Sequence, residues 1–251
     1  MNADPLVLVP GLMCDEAVWA PVLGALSPGR CCTVVDHRQA SSLVDMARQL
    51  LASAPPRFAL AGHSMGARVV LEACRLAPER ITGVALLDTG YLPRPAGPAG
   101  EDEARKRFAL LQLARDQGVR AMAQAWVQGM VHPDRLNDYA LLEDIVAMFA
   151  RKGADTFECQ IQALLSRLDA SDVLAQLAVP TLVLCGRQDA WSPLAQHQAM
   201  QQLVRGAALE AVEQAGHMAP MEQPADVAAA LGRWLARADA GAAGPAAPSA
   251  H

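Results

Sequence analysis

The sequence predicts an α/β fold, a mainly parallel sheet of six strands flanked by helices, with an all-helical cap inserted into it. Three observations carry this. Short apolar runs alternate with amphipathic stretches over residues 5–91 and again over residues 179–236. The runs are apolar on both faces, as strands must be when helices cover each side of a parallel sheet. Between the two stretches, residues 92–168 hold helical patterns and no strand-like run. The expected organisation is a core of residues 1–91 and 169–238, a cap of residues 92–168, and a disordered tail of residues 239–251.

Taken in order, residues 5–9 (PLVLV), 32–35, 57–61 (RFALA) and 81–87 read as the first four strands. Amphipathic patterns at 18–26, 42–53 and 65–77 read as the helices that join them. The rhythm breaks at Tyr91, where LPRPAGPAG (residues 92–100) punctuates the chain with Pro and Gly. Helix follows helix over 101–117, 119–131, 135–151 and 154–168, with breaks near His132-Pro133 and Gly153. In the first of these, Phe108, Leu111 and Ala114 stand at helical spacing. Alternation resumes with strands at 179–185 and 207–212 and helices at 192–203 and 224–236. Residues 239–251 are rich in Ala, Gly and Pro. An insertion placed between strands of such a sheet belongs over the carboxyl edge, where these folds bind ligands.

Composition narrows the function classes. A chain of 251 residues suits one domain with an insertion and can bury a core without disulfide or metal staples. Its 52% apolar content excludes a disordered polypeptide. No run approaches the ~18 apolar residues of a membrane span. The first strand begins near Leu6, which leaves no room for a signal peptide, so a cytoplasmic protein is expected. A net charge of -5 gives no support for a nucleic-acid partner. The six cysteines, Cys14, Cys31, Cys32, Cys74, Cys159 and Cys185, show neither CxxC spacing nor paired His ligands. Reduced thiols are expected, with no metal and no organic cofactor.

Three loop positions carry chemistry. Gly62-His63-Ser64-Met65-Gly66 follows the third strand and opens a helix. Chance supplies ~0.05 matches to G-x-S-x-G in a chain of this composition. A tight strand-to-helix turn lifts the Ser hydroxyl out of the sheet edge, above a helix N-terminus. Asp189 follows the fifth strand, where a carboxylate can accept an imidazole Nδ1–H and fix its tautomer. His217 follows the last strand, 28 residues later, enough for one helix and one strand. Asp88 follows the fourth strand, where it can cap or turn the chain into the inserted segment.

Together these residues resemble the α/β-hydrolase superfamily, in the chain order Ser, Asp, His. The resemblance runs from LVLVPG at residues 6–11 to GHMAPMEQP at residues 216–224 and the closing helix. It implies Ser64 as nucleophile, His217 as general base and Asp189 as its orienter, with Asp88 a second candidate for the acid because some relatives place theirs after the fourth strand. It places the oxyanion hole at the backbone N–H groups of Leu12 and Met65. Two departures stand out: Pro10-Gly11 replaces the His-Gly of many relatives, and the family's usual first two strands are missing. The implied activity is serine-dependent hydrolysis of a small carboxylic ester or similar acyl substrate. Relatives with a similar cap cleave C–C bonds or open enol-lactones, and some proteins of this fold are small-molecule receptors with slow turnover.

Other residues have lesser expectations. Trp126, Met130 and Trp191 are the candidates for the substrate pocket. Phe108, Met122, Met148 and Phe149 supply apolar bulk to the cap. Asp36 and His37 are expected to stabilise a loop, and Cys14 to pack. His132 is expected in the cap and His197 on a surface helix, both without a role. Arg120 and Arg187 could meet a substrate carboxylate, but no convergent charged pair is visible, so a neutral, apolar substrate is expected.

Overall fold

The structure, a computed structural model, describes residues 3–26, 29–37 and 39–242. Six strands form one fully parallel sheet: β1 Leu6–Val9, β2 Cys32–Val34, β3 Phe58–His63, β4 Ile81–Leu87, β5 Thr181–Gly186 and β6 Ala208–Val212, in the order β2-β1-β3-β4-β5-β6. All six lie where the apolar runs place them, shifted by one or two residues at some ends. β1, β3 and β5 are buried along their whole length, which is why their sequences lack alternation. The strand order reverses between β1 and β3, and the crevice beyond their carboxyl ends is where such sheets take ligands.

Helices cover both faces. α2 (Leu43–Ser53), α3 (Met65–Leu76) and α9 (Leu194–Leu203) build one layer. α1 (Ala20–Ala25), the short α10 (Ala219–Glu222) and α11 (Pro224–Ala242) build the other. Ser42 starts α2 by accepting from the Asp45 amide at 3.1 Å. α11 runs past the expected boundary, so residues 239–242 of the expected disordered tail are helical. Ala238 and Trp234 pack against Gly83 of β4, and Asp239 pairs with Arg30, which carries the helix onward. Residues 243–251 lie outside the described residues. Among the described residues, no helix is long and apolar enough to cross a membrane.

Between β4 and β5 the chain is helical throughout: α4 (Pro98–Gln117), α5 (Val119–Trp126), α6 (Tyr139–Ala150), α7 (Ala154–Leu165) and α8 (Ser171–Gln176). The helix expected at 135–151 is split. Pro133–Asn137 forms a 3-10 turn, and Asp138 then caps α6 by accepting from the Leu141 amide at 3.2 Å. The helix expected at 119–131 tightens into a 3-10 turn after Trp126. α8 was not visible as a periodic pattern because six residues span fewer than two turns. On α4, Leu111 and Ala114 are buried, but Phe108 is 44% exposed and adds no bulk to the interior.

Candidate active site

Ser64 stands on the turn from β3 to α3, with φ 54° and ψ -118°. A non-glycine residue held there is strained, and the surroundings must enforce it. They do so through close packing. A Cβ on Gly62 would lie 2.6 Å from the Ala67 backbone, and one on Gly66 would lie 2.2 Å from the Val9 carbonyl. Strand, turn and helix can therefore approach only with glycine at both places. The Ser64 amide donates to the Leu87 carbonyl at 2.8 Å, and the Thr89 hydroxyl donates to the Ser64 carbonyl at 2.8 Å.

The three loop positions meet. His217 Nε2 lies 2.8 Å from Ser64 Oγ, and its Nδ1 lies 2.8 Å from Asp189 Oδ2. Asp189 Oδ1 accepts from the amides of Trp191 at 2.8 Å and Ser192 at 2.9 Å. Burial alone would raise the Asp189 carboxyl. The His217 contact and these amides outweigh it and hold the group below the usual carboxylate range. Asp88 sits behind this line, its Oδ1 accepting from the Gly186 amide at 2.8 Å. Burial, reinforced by the Asp189 charge, pushes its carboxyl well above the usual range, toward the neutral form. Its Oδ2 has no hydrogen-bond partner, and Asp189, not Asp88, meets His217.

The loop after β1 lies against the serine. A Cβ on Gly11 would come within 3.2 Å of Ser64 Cβ. Neither the Leu12 nor the Met65 amide has an acceptor among the described residues. The loop is held from two sides. His37 Nε2 lies 3.3 Å from the Pro10 carbonyl, and Gln160 on α7 accepts from the Met13 amide at 2.8 Å. Burial pushes the His37 imidazole down to about 4, so the ring is neutral and Nε2–H is the donor. Cys14 is buried, and burial pushes its thiol far above the usual range, which leaves it inert packing.

Four residues of this scaffold have no signal in the sequence: Thr89, Gln160, His197 and Glu222. His197 is fully buried, contrary to its expected place on the surface of α9. Its Nε2 accepts from the Thr89 amide at 3.0 Å, and burial pushes its imidazole down to about 4. Glu222 is buried and gathers three amides, from His132 at 2.6 Å, Gly216 at 2.9 Å and Met218 at 3.2 Å. His132 thereby joins the loop carrying His217 to the inserted helices. Polar side chains scattered through helices give no periodic pattern, so only the fold reveals that they converge.

A cavity of about 400 Å³ opens above Ser64. Trp126, Met130 and Trp191 all line it, and Trp191 stacks on Trp126 with ring centroids 5.6 Å apart. Phe149 and Phe157 extend the aromatic wall. Arg120 and Arg187 do not reach the cavity, because they pair with Glu143 and Glu213 on the surface. Instead Arg68, Arg107 and Arg167 line it, so convergent charge is present where the sequence shows none, and the ground for expecting a neutral, apolar substrate falls away. These residues come from separate stretches of chain, and only folding places them together.

Comparison with known proteins identifies the family and the fold. The profile of the Alpha/beta hydrolase family matches residues 6–230. A protein of Pseudomonas savastanoi pv. phaseolicola, provisionally named carbamate hydrolase RutD, is 28% identical over 240 residues, covering 89% of this chain and 90% of that one. A pimeloyl-[acyl-carrier protein] methyl ester esterase of Nitrosomonas europaea is 26% identical over 235 residues, covering 86% of this chain and 89% of that one. Among solved structures, a thermophilic esterase from Thermogutta terrifontis superposes with a TM-score of 0.81 at 24% identity, covering 95% of this chain and 91% of that one. The enol-lactonase from Burkholderia xenovorans LB400 gives 0.81 at 22% identity, covering 94% and 92%. At such identities the superpositions speak to the fold alone, whereas the family profile spans nearly the whole chain: this protein belongs to the alpha/beta hydrolase family.

Proposed function

We propose that this hydrolase cleaves small carboxylic esters through an acyl-enzyme on Ser64. The observation that carries the reading is the unbroken line from Ser64 Oγ through His217 to Asp189, with two unpaired amides beside it. His217 Nε2 takes the Ser64 proton as Oγ attacks the ester carbonyl. The charge that develops on the carbonyl oxygen is received by the Leu12 and Met65 amides, each worth ~3–4 kcal/mol in the transition state. His217 returns the proton to the departing alcohol. It then takes one from water, which releases the acid and restores Ser64. Asp189 keeps the imidazole in the Nδ1–H tautomer and stabilises the imidazolium that forms at each step. No metal or cofactor enters this sequence. Residues 92–168 act as the cap, closing the aromatic wall over the site.

The names of the relatives support ester chemistry, and the chain order of the three residues matches the family's. The test is turnover of a p-nitrophenyl ester series by wild type beside Ser64→Ala. Wild-type turnover should exceed the variant's by on the order of 10⁵-fold, with thermal stability little changed. Undiminished turnover in Ser64→Ala would sink the reading.

A further inference from the structure

We propose that Arg68, Arg107 and Arg167 form an anion subsite in the cavity, which binds a carboxylate carried by the ester substrate about one helical turn from the scissile carbonyl. The inference rests on the reading that Ser64 cleaves esters and names the class of ester.

The three guanidinium groups come from three places, Arg68 on α3, Arg107 on α4 and Arg167 just after α7, and all line the cavity. Two of them share one carboxylate. Glu103 accepts from Arg167 at 2.7 Å on each oxygen and from Arg107 Nε at 3.0 Å. Two cations therefore consume one anion, and Arg68 is left with a single hydrogen bond, to the Leu92 carbonyl at 3.0 Å. Among the described residues, no carboxylate lies within ion-pair distance of Arg68. Arg167 Nε is buried with no partner at all. Lys106 lines the same wall, its ammonium 2.8 Å from Asp102. The other carboxylate on the lining, Asp88, is held toward its neutral form.

A cluster built only to hold helices together would match its charges, because like charges gathered out of water repel and lose hydration. This one carries an excess of positive charge into a cavity that also holds the nucleophile. Burial, with Arg167 and Arg107 nearby, pushes Arg68 down to about 9, which still leaves it a cation at neutral pH. A planar fork with free N–H groups matches a carboxylate in two-point contact. Arg68 follows Ser64 by four residues on α3, so it shares the serine's face of the helix, ~6 Å further along the axis. An acyl chain of about four to six carbons, ending in a carboxylate, spans that separation. The aromatic wall of Trp126 and Trp191 is then left for the alcohol portion.

The test compares mono-p-nitrophenyl adipate with p-nitrophenyl hexanoate, which has the same chain length without the charge. Wild type should favour the adipate in kcat/KM. That preference should fall about 10- to 100-fold in Arg68→Gln, chiefly through KM, and be partly kept in Arg68→Lys. A wild type that prefers hexanoate, or a preference unmoved by Arg68→Gln, overturns the subsite. Arg107→Gln gives the same reading should Arg68→Gln fail to fold. Binding is measured independently of turnover, as the rise in Tm of Ser64→Ala protein with adipate, uncharged methyl hexanoate or inorganic phosphate. Adipate should raise it, methyl hexanoate should not, and Arg68→Gln should abolish the rise. A larger rise with phosphate overturns the carboxylate assignment in favour of a phosphorylated substrate. Adipate binding with neither ester cleaved would sink the esterase reading and keep the subsite, whereas turnover of both esters without preference would sink the subsite alone.

Discussion

At Ser64 the three side chains in line are matched, while the Leu12 and Met65 amides beside them stay open. Asp189 accepts three hydrogen bonds, and His217 stands between two partners at 2.8 Å. One helical turn along α3, matching fails, since Arg107 and Arg167 share Glu103, Arg68 has only the Leu92 carbonyl, and Arg167 Nε has no partner. The two regions line one cavity but solve different problems. Catalytic groups must be held in one geometry before substrate arrives, so each is fixed by the protein. A recognition group must keep bonding capacity in reserve for the ligand, so it is left partly unsatisfied. In the proposed reading, the two open amides beside Ser64 and the surplus charge along α3 are the places left for a substrate to complete.

The matched region should be the less tolerant of change, and Asp189→Asn breaks it most sharply. An amide can keep its oxygen toward Trp191 and Ser192 while its NH₂ faces His217 Nδ1. That imposes the wrong tautomer and leaves Nε2 protonated toward Ser64. Ester turnover should fall by about 10⁴-fold with the fold intact. Adding Asp88→Asn should cost little more, because Asp88 makes no hydrogen bond to His217. A large further loss in the double variant would mean that Asp88 replaces the missing acid.

The same contrast explains what could be read before folding. The serine turn is local: its glycines, its strand and its helix lie within five residues of one another, and sterics allow few alternatives. Asp189 and His217 are named by chain order and by their place after strands. The sheet was equally legible, since doubly buried strands have no other apolar pattern to show. The charged wall was not. Arg68, Arg107 and Arg167 sit on separate elements, each indistinguishable in sequence from a solvated helix residue. Their meaning lies in the Glu103 that Arg107 and Arg167 share and in the Arg68 beside it, an arrangement that exists only after the inserted helices dock. Arg120 and Arg187 looked equivalent and were neutralised on the surface. His197 looked exposed because Gln and Ala surround it on α9, yet its ring points inward to Thr89.

Buried neutral histidines around the site bear on stability. His37, His63 and His197 are pushed down to about 4, 3 and 4, in each case chiefly by burial. The unfolded chain protonates each near pH 6.5, while the folded chain does so only far lower. Their contribution to stability is full above pH 6.5 and is lost as pH falls toward 4. Asp88 and Glu222 act in the opposite sense, because burial raises them in the fold. A single variant isolates one group from the sum. His37→Gln keeps a donor for the Pro10 carbonyl and removes the titration. Its loss of stability between pH 7 and pH 5, from urea unfolding, should be smaller than that of wild type by about 2 kcal/mol. Parallel pH curves for the two proteins would show that His37 titrates normally in the fold.

Glu222 provides the finest test, because it positions His217 without touching substrate. Its Oε1 accepts the amides on either side of His217, from Gly216 and Met218, while its Oε2 accepts the His132 amide. The His217 amide in turn donates to the Met130 carbonyl at 2.6 Å, and Arg135 donates to the Glu222 carbonyl at 2.7 Å. One carboxylate thus fixes the histidine loop and fastens it to the inserted helices. Glu222→Gln has nearly the same shape but only one acceptor oxygen. If that oxygen stays with Gly216 and Met218, an NH₂ faces the His132 amide and leaves two donors opposed. The histidine loop should survive while its attachment to the helices loosens. We expect kcat to fall about tenfold, Tm to drop by a few degrees and KM to change little, since an orphaned buried donor costs ~1–3 kcal/mol. Glu222→Asp, one methylene shorter, should not restore kcat. A fall in Tm with kcat unchanged would reduce Glu222 to a support for the fold, and would show that the reacting region does not depend on the helices closed above it.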